Sequence, residues 1–326
     1  MGLDDKMKII FKKIEAYSTL VMFKHTIFSL SFGLISLLLA TGGKLLSIWQ
    51  FVLILVALLS ARTGANAINR VIDAEIDKVN PRTATRQIPM GQMSKNEALV
   101  FSIICFVIMI ICAWLINPLV GTLSPIALFA LWGYSYTKRF TWLCHIILGI
   151  VCGIAPMGAW LAVTGNFGGL NPVFTYLIRF NVVESFNYLV YAFKNENAIF
   201  IPIFLFLANA CWVAGFDIIY ATQDFIHDRK FGINSIPARF GLIRALNISK
   251  FLHIIVVISL LFVGYFAPEL GYLYFSTILI VAVLLIYEHS IVKPDNLTRV
   301  TIASYNINEI IGILLMVFTL TDILIF

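Results

Sequence analysis

Asn69, Asp73 and Asp77 stand four residues apart at the end of an apolar segment. The i, i+4, i+8 spacing lines three oxygen-bearing side chains along one stripe of a helix. Asp217, Asp224 and Asp228 close a second apolar segment in the other half of the chain. Carboxylates at membrane depth cost roughly 2.5–3.5 kcal/mol each at a helix centre. Two clusters of them, in a chain that is 60% hydrophobic and 12% charged, call for a ligand. An oxygen-seeking divalent cation answers that call. Mg²⁺ fits well, because it keeps several waters and takes one or two carboxylates together with phosphate oxygens.

Basic residues follow both clusters. Arg82 and Arg86 trail the first, Arg229 and Lys230 the second, and Lys138 lies between them. Cations so placed would neutralise a departing pyrophosphate, as cationic clamps and metals do in phosphoryl chemistry. Below them, an apolar helix bundle would offer a tunnel for a hydrocarbon tail. A polar diphosphate mouth above a greasy tunnel describes a prenyl diphosphate site. Arg62 adds a second polar feature. It sits inside an apolar span seven residues before Asn69, where an anionic partner is the expectation and a substrate carboxylate would suit. Other polar residues have plainer readings. Arg70, Glu75 and Lys78 read as solvated charges, and the lone His145 and His227 as structural. Cys105, Cys112, Cys144, Cys152 and Cys211 form no metal-ligand spacing and read as small buried apolar residues.

The elements that must position these groups are transmembrane helices. Mean hydropathy is +0.93, and nine apolar stretches are long enough, or nearly so, to cross a bilayer. They centre near Ser31, Val56, Ile108, Leu128, Val151, Leu207, Val257, Leu279 and Met316. The expected fold is therefore all-α and polytopic, a single membrane domain over 1–326. Polar residues precede the first stretch and no cleavage signal follows it, so it reads as a mature helix rather than a signal peptide. With the N-terminus in the cytoplasm, every Lys and Arg except Arg62, Lys44, Arg179 and Lys194 falls in a cytoplasmic segment. The positive-inside rule then accounts for the net charge of +6, and a nucleic-acid partner is not expected.

The acidic loops, at 62–91 and 215–241, share a pattern: Asp-x-x-x-Asp on a helix end, basic residues, an Ile-Pro and a Gly. The shared pattern hints at two parallel halves, each giving one acidic helix to a common cavity. The segment 165–199 is expected outside the cytoplasm, with an interfacial amphipathic helix.

The run Arg62, Gly64, Asn69-x-x-x-Asp73-x-x-x-Asp77, continuing NPRTATRQIPMGQMS, resembles the first signature of the UbiA-type intramembrane aromatic prenyltransferases. GFDIIYATQDFIHDRKFGINSIPARFG (215–241) resembles the second, and YSYTKRFTW (134–142) the loop between them. The resemblance runs from about Lys24 to Gly241. It implies that Asn69, Asp73, Asp77, Asp224 and Asp228 hold two Mg²⁺ ions on the diphosphate. It further implies that Arg82, Arg86 and Lys138 hold or polarise that diphosphate, and that Tyr220 lines the cavity near the allylic carbon. Arg62 falls where the acceptor's carboxylate would sit, and Asp217 where a carboxylate assists removal of a proton. The implied partners are a polyprenyl diphosphate and an aromatic acid, in a cell membrane, with the site open to the cytoplasm. Asn69-Arg70 departs from the Asn-Asp of many relatives. The wording of the second motif is closer to the quinone-pathway branch that takes 4-hydroxybenzoate or a dihydroxynaphthoate. The rival from another class is an ion-coupled carrier using the same acids. A carrier, however, wants its acids near mid-bilayer, whereas these lie at helix ends beside Arg and Lys.

Overall fold

The computed structural model describes residues 23–42, 46–166, 181–195 and 200–325, with Tyr17, Lys44 and Ala198 besides. Among these residues the chain is a helix bundle. α1 is Phe23–Ala40, α2 Ile48–Val79, α3 Lys95–Ile116 and α4 Pro118–Gly133, the last continued by a 3₁₀ turn, Tyr134–Arg139. α5 is Cys144–Thr164, α6 Val182–Asn195 and α7 Phe200–Ala221, which runs through a 3₁₀ turn (Thr222–Asp224) into α8, Phe225–Phe231. α9 is Ile236–Phe240, α10 Leu242–Phe266 and α11 Tyr272–Ile291; a π-helical turn, Ile302–Ile307, leads into α12, Asn308–Ile325. Eight spans are long and apolar enough to cross a membrane, and α1 contributes a shorter apolar stretch, Leu30–Ala40. Each of the nine expected segments coincides with one of these helices.

Local chemistry sets the helix ends. Ser94 and Glu97 form a reciprocal capping box at the start of α3. Asn117 caps α4, with Pro118 at the first helical position, where its missing N–H costs nothing. α12 caps a neighbour: buried Asp322 Oδ2 accepts from the backbone N–H groups of Gly271 (2.5 Å) and Tyr274 (3.1 Å) at the head of α11.

Two spans are longer than the rest. Ile48–Val79 and Phe200–Phe231 are each 32 residues, against 20–25 for the other spans. At 1.5 Å per residue the continuous helix α2 is about 48 Å long, well beyond a hydrocarbon core of about 30 Å. These two spans carry the two acidic motifs. The excess length lets Asp73, Asp77, Asp224 and Asp228 leave the apolar zone while remaining on packed helices.

α7 is the central helix, packed against α5 on one side and α10 on the other. α1 closes a ring by touching α5 and α12, while α2, α3 and α4 pack in sequence. The main core gathers Phe32, Leu205, Trp212, Leu260, Tyr274 and Ile311. Large apolar side chains such as Trp114, Phe129, Ile254, Leu279 and Ile286 are exposed on the outside, the surface a lipid-embedded protein presents. Of the expected insertion, 167–180, 196–197 and 199 lie outside the described residues. Within the remainder, α6 is an amphipathic helix exposing Val182, Val183, Phe186, Val190 and Tyr191.

Candidate active site

The ends of α2 and α7, the turn after α4, the start of α5 and the loop after α8 enclose a cavity of about 220 Å³. Its walls include Asn69, Asp77, Arg82, Arg86, Lys138, Asp217, Tyr220, Asp224 and Asp228. Nine of the eleven residues singled out from the sequence thus face one space. The other two are Asp73 and Arg62. Asp73 is fully buried in the wall beneath Lys138. Arg62 lies further down α2, where Tyr134, Cys152 and Tyr305 are near enough to act on it electrostatically. Arg229 and Lys230 are exposed and lie off the cavity wall.

Opposite charges organise the cavity. Lys138 Nζ and Arg139 Nη1 both engage Asp73, the latter at 3.1 Å, and Asn69 Nδ2 donates to the same carboxylate at 3.1 Å. Arg86 Nη1 donates to both oxygens of Asp77 at 2.7 and 2.8 Å. Arg82 forks onto Asp224, with Nε 2.9 Å from Oδ1 and Nη2 on Oδ2, and its Nη1 donates to the Tyr220 hydroxyl at 2.6 Å. Asn80 Nδ2 adds a third hydrogen bond to Asp224 at 2.9 Å. The loop that follows the first motif therefore holds an acid of the second. Burial works against the charge of Arg82, yet the hydrogen bond and charge of Asp224 more than offset it and raise its pKa.

The second motif is finished by a fold-back. Gly232 takes a left-handed backbone (φ 67°), which glycine adopts without the Cβ clash other residues meet. The chain then reverses, so that Ile233 N–H donates to the Asp228 carbonyl at 2.9 Å and Ser235 Oγ to its carboxylate at 2.8 Å. Asn234 N–H donates to the Lys138 carbonyl at 2.9 Å and fastens this loop to the turn that carries Lys138.

Among the described residues no three His, Cys, Asp or Glu side chains converge as a ready-made metal cage. The donor set is instead oxygen-rich and spread over two helices, with a cation or hydroxyl on each acid. Such a set suits Mg²⁺, which takes few protein ligands and completes its shell from water and phosphate. It does not suit a metal that needs a closed protein cage.

A model of the UbiA prenyltransferase family matches residues 29–310. The chain belongs to the UbiA prenyltransferase family. It is therefore a prenyltransferase, and the carrier reading is set aside. It is 28% identical to the 4-hydroxybenzoate octaprenyltransferase of Edwardsiella ictaluri (strain 93-146) over 276 residues, 85% of this chain and 83% of that protein. It is 27% identical to the protein of the same name from Vibrio campbellii (strain ATCC BAA-1116) over 232 residues, 71% of this chain and 70% of that one. The apo structure of a UbiA homolog from Aeropyrum pernix K1 superposes with a TM-score of 0.75 at 29% identity, covering 91% of this chain and 98% of that one. A UbiA homolog from Archaeoglobus fulgidus bound to GPP and Mg²⁺ shares the fold, with a TM-score of 0.65 at 20% identity over 95% of this chain and all of that one.

Among the described residues of this UbiA chain, four that were not singled out as site residues bond the acids around the cavity. Asn80 and Arg139 bind Asp224 and Asp73, Ser235 binds Asp228, and His145 Nδ1 lies 2.7 Å from Asp217 Oδ2. His145 had read as a structural histidine. Its partner comes from another helix, which is why spacing along the chain does not reveal it. Arg139 was legible as half of Lys138-Arg139, but only the 3₁₀ turn shows that both side chains meet one carboxylate. Glu75 and Lys78 are exposed, as read, and Glu75 pairs with Lys95 at 2.6 Å. Arg70 is half-buried, not solvated, with Asp77 of its own helix and Arg86, Tyr134 and Tyr305 from other elements close enough to act on it.

Proposed function

We propose that this protein transfers a polyprenyl group from its diphosphate to an aromatic carboxylic acid, with 4-hydroxybenzoate the first candidate. One observation carries the reading: two acidic motifs from the two longest spans meet, with Arg82, Arg86 and Lys138, around one cavity at the head of an apolar bundle. The relatives' printed name supports the acceptor. The alternative acceptor is a dihydroxynaphthoate, in keeping with the wording of the second motif.

On this assignment Asn69, Asp73, Asp77, Asp224 and Asp228 would hold Mg²⁺, two ions in all, against the diphosphate. The metal, when bound, supplies positive charge to the departing diphosphate. Arg82, Arg86 and Lys138 supply the rest, exchanging their carboxylates for phosphate oxygens and stabilising the charge that develops as the allylic C–O bond breaks. Tyr220, in edge contact with Tyr305 (ring centroids 4.9 Å apart), offers aromatic surface to the allylic cation. Arg62 binds the acceptor's carboxylate below the diphosphate. The ring carbon beside the hydroxyl attacks, and Asp217 takes the proton that leaves it. The dry bundle keeps water from the cation. The distribution of Lys and Arg supports a single inner-membrane domain with a cytoplasmic N-terminus and the cavity opening to the cytoplasm.

The test is an assay of purified protein in lipid with Mg²⁺ and a polyprenyl diphosphate, offering 4-hydroxybenzoate and a dihydroxynaphthoate in parallel. Mass spectrometry of the lipid extract is expected to show prenylated 4-hydroxybenzoate. Product from the naphthoate alone would reassign the acceptor, and no product from either would remove the aromatic-acid reading.

A further inference from the structure

α5 and α7 approach unusually closely. A Cβ at Gly149 would lie 2.2 Å from the Ala210 carbonyl oxygen, and one at Gly153 would lie 2.9 Å from that of Phe206. Two glycines a turn apart let helix backbones approach closely in a membrane. Asn209 Nδ2 fastens the contact by donating to the Cys152 carbonyl at 2.8 Å. Stepping four residues back from Gly153 and Gly149 along the same face of α5 leads to His145, opposite the stretch of α7 that bears Asp217. Nδ1 of His145 meets Oδ2 of Asp217 at 2.7 Å. Both residues line the cavity, and the Asp217 side chain is 26% exposed against 8% for His145, so the carboxylate is the more open of the two. The other ring nitrogen, Nε2, is buried with no hydrogen-bond partner among the described residues. The hydrogen bond to Asp217 is thus the contact this ring makes with α7.

We propose that His145 is a positioning residue for Asp217, a role that rests on the aromatic-transfer reading above. Its Nδ1–H donates to Oδ2 and fixes the carboxylate so that Oδ1 is presented to the ring carbon that has just been prenylated. There the C–H bond breaks, its electron pair restores the aromatic ring, and the proton passes to Oδ1 of Asp217. Without the donor the carboxylate is free to rotate, and proton removal slows while ionisation of the donor substrate does not.

The experiment compares wild type, His145→Ala and His145→Asn, whose side-chain N–H occupies the place of Nδ1–H. Each is assayed with 4-hydroxybenzoate and with the same acid deuterated beside its hydroxyl. The wild type is expected to turn over both acceptors at one rate, because ionisation is slow. His145→Ala is expected to fall roughly a hundredfold in kcat, the lower range for a proton-transfer group. It should keep the KM for the prenyl diphosphate and turn over the deuterated acid severalfold more slowly. His145→Asn is expected to recover most of the rate and to lose the isotope sensitivity. A slow Ala variant with no isotope effect, an Ala variant as fast as wild type, or an Asn variant no better than Ala would each overturn the role. No product from the wild type overturns the acceptor reading and His145's role together, and the wild-type control separates that result from the others.

Discussion

Mg²⁺ and the diphosphate are expected to bind this protein cooperatively, because each must take one partner from an existing ion pair. The pairs are Arg86–Asp77, Arg82–Asp224 and Lys138–Asp73, with cation side chains 23–28% exposed and acids 1–15% exposed. Metal alone would draw the acids away and strand the cations. Diphosphate alone would strand nearly buried acids. Both together leave every charge matched. Removing one partner of a fully buried pair costs about 3–5 kcal/mol, whereas surface pairs are worth about 0–1 kcal/mol. These half-screened pairs fall between, and ~1 kcal/mol each is a conservative figure. Opening two pairs gives a coupling of about 2 kcal/mol, or roughly thirtyfold in affinity, felt equally from either side. The assay is calorimetric titration of a non-cleavable prenyl thiolodiphosphate into protein in lipid nanodiscs, with and without saturating Mg²⁺. Because the two ligands also associate in solution, the sharper arm is Mg²⁺ alone against Arg86→Gln. Loss of the guanidinium leaves Asp77 buried and unpaired, so the variant should bind Mg²⁺ about fivefold more tightly than wild type while binding the diphosphate more weakly. Mg²⁺ affinity that is unchanged or weakened in Arg86→Gln would refute the exchange of partners.

Other expectations follow from single contacts. Gly149→Ala drives a methyl into the Ala210 carbonyl, so α5 and α7 must separate. A loss of about 1–3 kcal/mol is expected in detergent unfolding, with activity falling more than stability because His145 is drawn from Asp217. Asp322→Ala leaves two N–H groups at the head of α11 without their acceptor. A loss of about 1–3 kcal/mol is expected by thermal melting, and Asp322→Asn, which keeps a carbonyl acceptor, should recover much of it. Arg82→Lys keeps the charge but not the fork across Asp224 and Tyr220. About a tenfold rise in KM for the prenyl diphosphate is expected, with little change for the aromatic acid.

Much of this architecture was legible in the sequence, for physical reasons. Membrane helices must satisfy their backbones internally and be apolar throughout, so all nine segments could be placed before any contact was known. The motif acids were legible because two Asp-x-x-x-Asp sets, each followed by Arg or Lys, close two apolar segments. Less legible was the pairing across the cavity. Nothing along the chain says that Asn80 and Arg82 reach Asp224, or that Arg139 shares Asp73 with Lys138, since those contacts depend on how the turns after α2 and α4 close. His145 is the clearest case. Its partner lies on another helix, and the spacing of Gly149 and Gly153 does not say which helix they bring close. Arg70 misled for a related reason: it reads as a solvated charge beside the motif, yet Tyr134 and Tyr305, from elements distant in sequence, lie close to it.

The most direct measurement is pyrophosphate release from a prenyl diphosphate by purified protein in which one motif at a time is altered, Asp77→Asn in the first and Asp224→Asn in the second. If the two long spans build one site, each substitution alone reduces release by at least a hundredfold, in protein that melts cooperatively and keeps the wild-type helix content by circular dichroism. Near-wild-type release by either variant would show that one motif suffices, and would contradict a single site shared between them.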